Sequence, residues 1–293
     1  MTNRQAVDII NEFESKGVHT EEEEFMFIEA MNFLIDRNHS PRDMMYLGGY
    51  YYELRKFDLA LKYYEMAATY DYEPADECLG YIWYYGRTGT VDYEKAYKHF
   101  KAAADKGNIV ASYKIADMYK NGYYVDKDYE KYKKIIRDLY PKVNKSRNVF
   151  DPLPEIFTRL AKIESEEGNI DRACDLYLYA KDFLAQRIRY NAFFGNLNIM
   201  KWLIEDLYKL TDPDEDYIDL YDLYYYLSEP VKISFDYKGK TYHVECINEN
   251  GENAIKFEDT WYRTVDDFMY KAVIGSKKLT EIYSRLDGFR IER

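Results

Sequence analysis

Two consecutive stretches of the chain repeat one another at a fixed offset. Ala75 aligns with Ala111 and Gly86 aligns with Gly122, which is an offset of 36 residues in both cases. Self-similarity at such a period is typical of helical repeat proteins, because a single repeat cannot bury its apolar face without a neighbour. Each copy also places apolar residues at helical spacing on both sides of a turn that contains glycine. We therefore predict that residues 75–140 form two stacked helical hairpins.

Weaker copies of the same pattern flank these two stretches. In residues 42–70, Leu47 precedes Ala60 by 13 residues, whereas the corresponding residues of the first copy are 17 apart. The difference lies in the glycine-rich turn, so this unit is predicted to have a shorter turn. Leu160 and Ala173 are also 13 residues apart, which predicts a similar hairpin that runs to about residue 188.

The segment from Leu79 to Gly107 strongly resembles the Sel-one-like repeat, a relative of the tetratricopeptide repeat. It reads LGxxWxxGxxGxxDxxKAxxxFxxAAxxG, with Trp83 where the family usually has tyrosine. The resemblance covers about residues 42–188 and is clearest over 75–140. It implies an α solenoid of helical hairpins that acts as an adaptor or scaffold, without catalysis of its own.

Two helices are predicted before the repeats. An amphipathic helix over residues 4–14 is ended by Gly17. Thr20 and Glu23 then have the spacing of a capping box, in which each side chain accepts a hydrogen bond from the other residue's backbone. This box predicts a second helix that runs through Leu34.

The region after the repeats is still helical in pattern up to residue 227. Trp202, Leu203 and Leu207 indicate one helix, and the tyrosine-rich residues 216–227 indicate another. A solenoid needs a cover at its end, because the last repeat would otherwise expose an apolar face. We expect the second of these helices to provide it.

The period changes from helix to strand after Pro230. Residues 231–237 and 241–247 alternate between apolar and polar side chains, which predicts a β-hairpin. The further predicted elements are a turn at Asn250-Gly251, a third strand over 254–261, and helices over 264–273 and 277–286. The predicted fold class is therefore an all-α repeat solenoid with a small C-terminal α+β domain. The predicted domains are residues 1–228 and 229–293, and the second of them resembles no family that we recognise.

The charge balance favours protein partners over nucleic acid. The net charge is -12, and residues 229–293 hold 12 acidic and 11 basic side chains, so most of the negative charge belongs to the helical part. Such a field repels a nucleic acid and favours a basic peptide or protein segment.

Three widely spaced cysteines argue for a reducing compartment, and no apolar run is long enough to enter a membrane. We therefore predict a cytoplasmic protein. The chain is also rich in tyrosine, with 34 residues of this type.

The sequence offers few candidates for chemistry. His243 and Glu245 lie two residues apart on a predicted strand, so they share a face and could act as acid and base, although a surface pair is the commoner arrangement. The run DPDED at residues 212–216 imitates the start of a calcium loop, but Tyr217 and Leu223 stand where that loop needs glycine and glutamate. We therefore predict no enzyme, no metal and no cofactor.

One constellation of side chains lies on the first helices of the repeats. Glu77, Tyr81 and Tyr85 recur at helical spacing, roughly opposite Leu79 and Trp83, because two residues on a helix are about 200° apart. The resemblance implies that first helices line the concave surface, where tyrosines with scattered charges would suit recognition. The alternative is that these rings pack between neighbouring repeats. The first-helix stripe comprises Tyr52, Glu53, Glu77, Tyr81, Tyr84, Tyr85, Tyr113, Asp117 and Lys120.

Two functions are compatible with these observations. The first is a non-catalytic scaffold that holds a peptide or protein segment in the concave groove. The second makes the C-terminal α+β domain a ligand-binding or enzymatic module to which the solenoid recruits partners. Several convergent acid, base or nucleophilic groups on residues 231–262 would favour the second function, and only His243 and Glu245 are visible there.

Overall fold

The computed structural model describes residues 1–16, 18–145, 148–249 and 252–292. The chain divides into two compact units, residues 1–135 and 136–293. The first unit is built from helices, and the second combines helices with a β-sheet, which confirms the predicted fold class. The helices of the first unit are α1 (Asn3–Ser15), α2 (Glu21–Asn38), α3 (Pro41–Glu53), α4 (Phe57–Ala68), α5 (Glu73–Tyr85), α6 (Tyr93–Asp105) and α7 (Ile109–Asn121), and α8 spans Tyr129–Val143.

Local side-chain chemistry sets where α2 begins. The backbone N–H of Thr20 donates to Glu23 Oε2 at 2.8 Å, and the N–H of Glu23 donates to Thr20 Oγ1 at 3.2 Å. This is the predicted capping box, although the helix runs to Asn38 and not only to Leu34. The predicted stop at Gly17 lies outside the described residues.

The turn between α5 and α6 depends on Gly86. This residue ends α5 with φ +58°, a left-handed conformation that glycine adopts at little cost. A Cβ at this position would lie 2.8 Å from Val91 Cγ2 and 2.9 Å from the Val91 nitrogen. The turn therefore has a fixed path, and that path places the next residue, Arg87, beside the preceding hairpin.

In each of the hairpins α3–α4 and α5–α6, a glycine packs against an aromatic ring. A Cβ on Gly48 would lie 2.6 Å from Cε1 of Tyr64, and a Cβ on Gly80 would lie 2.4 Å from Cδ1 of Phe100. In both hairpins the glycine belongs to the first helix and the ring to the second. The ring therefore occupies space that only a glycine leaves open.

The second unit begins with helices and ends with an antiparallel sheet. The helices are α9 (Leu153–Glu166), α10 (Ile170–Tyr190), α11 (Phe194–Leu207), α12 (Leu223–Tyr226), α13 (Val265–Lys271) and α14 (Leu279–Ile282). The strands are β1 (Val231–Tyr237), β2 (Lys240–Glu249), β3 (Glu252–Phe257), β4 (Thr260–Tyr262), β5 (Val273–Ile274), β6 (Lys277–Lys278) and β7 (Asp287–Glu292). Neighbouring strands are hydrogen-bonded in the order β4-β3-β2-β1-β7, and β5 and β6 form a separate two-stranded sheet.

Several predicted elements of the second unit differ from the structure. Residues 216–227 form two short 3-10 turns and the four-residue α12 instead of one helix, because Asp219 and Asp222 hydrogen-bond backbone N–H groups within the segment. The predicted strand over 254–261 is two strands, β3 and β4. The predicted helix over 277–286 is reduced to α14 and a 3-10 turn, because its first residues pair with β5. The predicted turn at Asn250-Gly251 lies outside the described residues.

The sheet and the helices belong to one compact unit. Lys201 on α11 forms an ion pair of 2.9 Å with Asp266 on α13, and the rings of Tyr221 and Tyr283 lie 5.5 Å apart. The domain boundary after residue 228 stays a prediction. Within the described residues, no helix is both long and apolar enough to cross a membrane.

Candidate functional site

The first-helix stripe is much more buried than a solvent-facing stripe would be. Tyr85 is 38% exposed and Glu53 is also exposed, whereas Tyr113 is only 3% exposed. The partly buried members of the stripe are Tyr52, Glu77, Tyr81, Tyr84, Asp117 and Lys120. The part of the stripe that is open to solvent therefore centres on Glu53 and Tyr85.

Tyr81 and Tyr113 connect two successive repeats. Their hydroxyl oxygens lie 2.8 Å apart and join α5 to α7. Burial and the neighbouring Tyr113 raise the pKa of Tyr81 well above its ordinary value. These two rings pack between neighbouring repeats, which is the alternative to a groove stated above. Tyr113 is almost completely buried, so it offers no surface to a partner.

A buried lysine lies beneath the stripe. Lys114 is 4% exposed, and its ammonium nitrogen donates a hydrogen bond of 2.7 Å to the hydroxyl of Tyr85. The nitrogen also lies 3.8 Å from Oδ2 of Asp117. Four ring centroids lie within 5.5 Å of it, those of Tyr81, Tyr84, Tyr85 and Tyr113. We call Lys114 and these four rings the Lys114 cage.

A second cation lies among aromatic rings at the solvent-facing end of the stripe. The guanidinium carbon of Arg87 is 4.8 Å from the ring centroid of Tyr85, 5.5 Å from that of Phe57 and 5.9 Å from that of Tyr52. Nε of Arg87 also donates a hydrogen bond of 3.1 Å to the Tyr52 hydroxyl. We call the three rings Tyr52, Phe57 and Tyr85 the Arg87 box, and Arg87 is its resident cation.

The remaining stripe residues make contacts within the chain. Asn108 donates through Nδ2 to Glu77 Oε2 at 2.7 Å, and the ammonium of Lys120 lies 5.0 Å from the ring centroid of Tyr132. These contacts link each first helix to the next repeat or to the following helix. They stabilise the array, and they leave the Arg87 box as the part of the stripe with an exposed ring.

The sequence analysis did not identify Arg87, Phe57 or Lys114 as site residues. A signal for Arg87 was present, because a cation just after a helix C-cap interacts favourably with the negative end of the helix dipole. The position beside Tyr85 also follows from the Gly86 turn. No comparable signal marks Lys114, because its burial depends on rings that come from another repeat.

The candidate residues of the second unit do not form a convergent site. The side chain of His243 is 63% exposed, and its Nδ1 lies 3.8 Å from Glu292. Glu245 pairs with Lys232 at 3.2 Å on the same sheet face. In the DPDED run, Asp214 accepts a hydrogen bond of 3.1 Å from the backbone of Asp216 and caps a 3-10 turn. Among the residues that the structure describes, no group of three or more His, Cys, Asp or Glu side chains could hold a metal ion.

Comparisons with known proteins identify the helical hairpins. Residues 40–69, 79–108 and 109–131 match the family model of the Sel1 repeat. A solved Sel1 repeat protein from Oxalobacter formigenes is 18% identical, with 77% of this chain and 82% of that chain covered and a TM-score of 0.48. A second solved structure is c5321, a protective antigen present in uropathogenic Escherichia coli strains and displaying an SLR fold. It is 16% identical, with 73% of this chain and 50% of that chain covered and a TM-score of 0.43. No curated protein matches this chain.

The matched segments contain every residue of the Arg87 box and of the Lys114 cage. Tyr52 and Phe57 lie in the first match, Tyr85 and Arg87 in the second, and Lys114 in the third. The hairpin α9–α10 lies outside these matches. The chain therefore carries three Sel1 repeats, at residues 40–69, 79–108 and 109–131, and these repeats hold both the Arg87 box and the Lys114 cage.

Proposed function

We propose that this protein is a non-catalytic scaffold that binds a segment of a partner protein or peptide at the solvent-facing part of its first-helix stripe. Sel1 repeats generally serve as scaffolds for protein–protein interaction. The observation that carries the proposal is the exposed aromatic surface at Tyr85, together with the exposed residue Glu53 of the preceding first helix. Aromatic side chains that combine a large ring with a polar group are the commonest anchors of such interfaces.

A partner segment that carries lysine or arginine fits this surface best. Residues 1–228 account for 11 of the 12 net negative charges, because residues 229–293 are nearly balanced. A partner of opposite charge associates faster, and its binding weakens as salt is added. A reducing, cytoplasmic location is part of this proposal, and the three free thiols Cys78, Cys174 and Cys246 support it.

The second function, an enzymatic or ligand-binding module at the C-terminus, has less support. It would need a set of groups that converge on one reacting atom. The side chain of His243 is 63% exposed, and its Nδ1 lies 3.8 Å from a carboxylate oxygen of Glu292. That arrangement suits a surface pair on a sheet.

Site-specific photo-crosslinking tests the scaffold proposal. A benzoyl-phenylalanine is placed at Tyr85 and, as a matched control, at Tyr70, which is 48% exposed and follows the second helix of the first repeat. In extract of the cells that express the protein, we expect a discrete adduct at position 85 whose crosslinked peptide contains lysine or arginine. Excess unmodified protein should compete it away. Equal adducts at both positions, or adducts that resist competition, would contradict the proposal.

A further inference from the structure

We propose that the Arg87 box is a guanidinium-binding site, which Arg87 fills in the free protein and an arginine side chain of the partner fills in the complex. The guanidinium site stands on the geometry alone. The assignment of the incoming arginine to a partner rests on the proposed function.

The chemistry of the box matches a guanidinium group closely. The ring of Tyr85 lies 4.8 Å from the guanidinium carbon, Phe57 adds a second ring, and the hydroxyl of Tyr52 accepts a hydrogen bond at 3.1 Å. A guanidinium is planar and weakly hydrated, and it stacks on aromatic faces while it donates in its own plane. The box therefore offers both interactions that such a group makes.

The walls of the box are held by contacts that do not involve Arg87. Tyr85 is fixed through its hydroxyl by the buried ammonium of Lys114 at 2.7 Å. Tyr52 and Phe57 pack edge to face with their centroids 5.1 Å apart. Because these contacts remain when Arg87 is removed, we expect the box to keep its shape and to accept another cation.

The resident cation is placed so that it can be exchanged. Arg87 lies in the turn between α5 and α6 rather than within a helix, and it is only partly buried. The box opens to solvent at Tyr85, which is 38% exposed. Lys114, in contrast, is only 4% exposed. Exchange is therefore expected at the Arg87 box and not at the Lys114 cage.

The size of the expected effect follows from competition between the two cations. The favourable free energy of a cation against an aromatic ring at a partly exposed site is large enough that Arg87 occupies the box in most molecules. An external guanidinium must displace the resident one. Its apparent affinity is therefore its affinity for a vacant box multiplied by the fraction of boxes that are vacant. Removal of the Arg87 side chain should therefore tighten the binding of an external guanidinium about three- to sixfold.

The test is a ligand-observed NMR titration of the full-length chain with Nα-acetyl-arginine amide. The variants are Arg87→Ala and, should that chain melt early, Arg87→Ser. The matched control is Arg42→Ala, which removes an exposed cation on α3. We expect tighter binding for the Arg87 variants alone. We also expect no binding of the neutral citrulline analogue, and loss of binding when Tyr85→Leu is added to the Arg87 variant.

Two results would overturn the inference. One is an Arg87 variant that binds the arginine probe no more tightly than the wild-type protein does. The other is equal binding of the arginine and citrulline probes. Because the titration needs no partner, its outcome is independent of the crosslinking at position 85. A positive titration together with failed crosslinking would refute the scaffold proposal and the partner arginine, and leave the guanidinium site in place.

Discussion

The two units of the molecule each bury a lysine, and they surround it in different ways. In the first unit, Lys114 is 4% exposed and lies among four tyrosine rings, with one carboxylate at 3.8 Å. In the second unit, Lys181 is 8% exposed and lies 2.6 Å from Asp222 and 3.0 Å from Asp219. The first ammonium therefore lies mainly among aromatic rings, and the second is paired with two carboxyl groups.

This difference determines what each lysine leaves behind when it is removed. Without Lys114 the cage is a set of neutral rings, which tolerate an apolar side chain. Without Lys181 the carboxylate of Asp222, which is 1% exposed, loses its cation, although Tyr208 still donates to it at 2.5 Å. Burial lowers the pKa of Lys181, but Asp219 and Asp222 more than offset this, so the pKa lies above its ordinary value. The second unit therefore depends on its lysine more than the first unit does.

The largest expected effect is that of Lys181→Met. It leaves the buried carboxylate of Asp222 and the partly exposed carboxylate of Asp219 without their cation, so we expect the free energy of unfolding to fall by about 3–5 kcal/mol. Urea unfolding followed by the fluorescence of Trp202, with Trp83 and Trp261 replaced by phenylalanine, measures it in the second unit. Lys209→Met, whose side chain is 69% exposed, is the control and should change little.

The loss in Lys181→Met should depend on pH. Burial raises the pKa of Asp219 and Lys181 lowers it, so removal of the lysine raises the pKa further. A carboxyl whose pKa is higher in the folded than in the unfolded state destabilises the fold only while it is ionised. The difference from the wild-type protein should therefore shrink as the pH falls from 7 to about 5. A constant difference would show that the carboxylates do not cause the loss.

A substitution in the apolar core tests the packing of the first unit. Leu79 is 1% exposed, so Leu79→Ala should lower the free energy of unfolding by about 2–5 kcal/mol through lost burial and a cavity. Leu59→Ala, at a residue that is 40% exposed, should cost less than about 1 kcal/mol. The fluorescence of Trp83, with the other two tryptophans replaced, follows both variants. Similar losses in the two would contradict the assigned core.

A smaller effect is expected for Lys114→Met. The variant loses the hydrogen bond to Tyr85 and the ion pair with Asp117, and its thioether can pack against the rings, so we expect a loss of about 1–3 kcal/mol. Because tyrosine rings do not titrate between pH 5 and 7, this loss should vary with pH much less than that of Lys181→Met. A loss as large as that of Lys181→Met, with the same pH dependence, would remove the distinction between the two units.

The smallest effect is expected for an exposed histidine on the sheet. The side chain of His243 is 63% exposed, so His243→Ala should change the free energy of unfolding by less than about 1 kcal/mol. The same urea experiment measures it. A loss comparable to that of Leu79→Ala would mean that the sheet buries this histidine.

The elements that the sequence predicted correctly are those that local interactions determine. The capping box of Thr20 and Glu23 needs only residues three apart, and the Gly86 turn needs only its own conformation. The elements that were wrong depend on distant partners. Asp222 takes part in a turn and also contacts Lys181, which is 41 residues earlier in the chain. Strand β7 forms only because it pairs with β1, for example through Ile291 and Ile233.

The candidate site was predicted in part for the same reason. Helical spacing placed Tyr81 and Tyr85 on one side of α5, opposite the core residue Leu79. Spacing within one helix does not reveal which residues of the next repeat pack against that side. The hydroxyl groups of Tyr81 and Tyr113, for example, meet although the residues are 32 positions apart. Among the tyrosines of the stripe, Tyr85 is the most exposed, at 38%. The role of a stripe in a repeat protein therefore depends on the neighbouring repeat as much as on its own helix.

The pairing of a first-helix glycine with a second-helix ring has a consequence for how such arrays can grow. Gly48 with Tyr64, and Gly80 with Phe100, each lie within one hairpin, although the second hairpin has the longer turn. A duplication or an engineered insertion of one hairpin therefore copies both halves of the contact together. We expect that a copy of residues 73–108 inserted after Asn108 would fold as an added repeat, while exchange of Phe100 alone for a larger ring would not be tolerated.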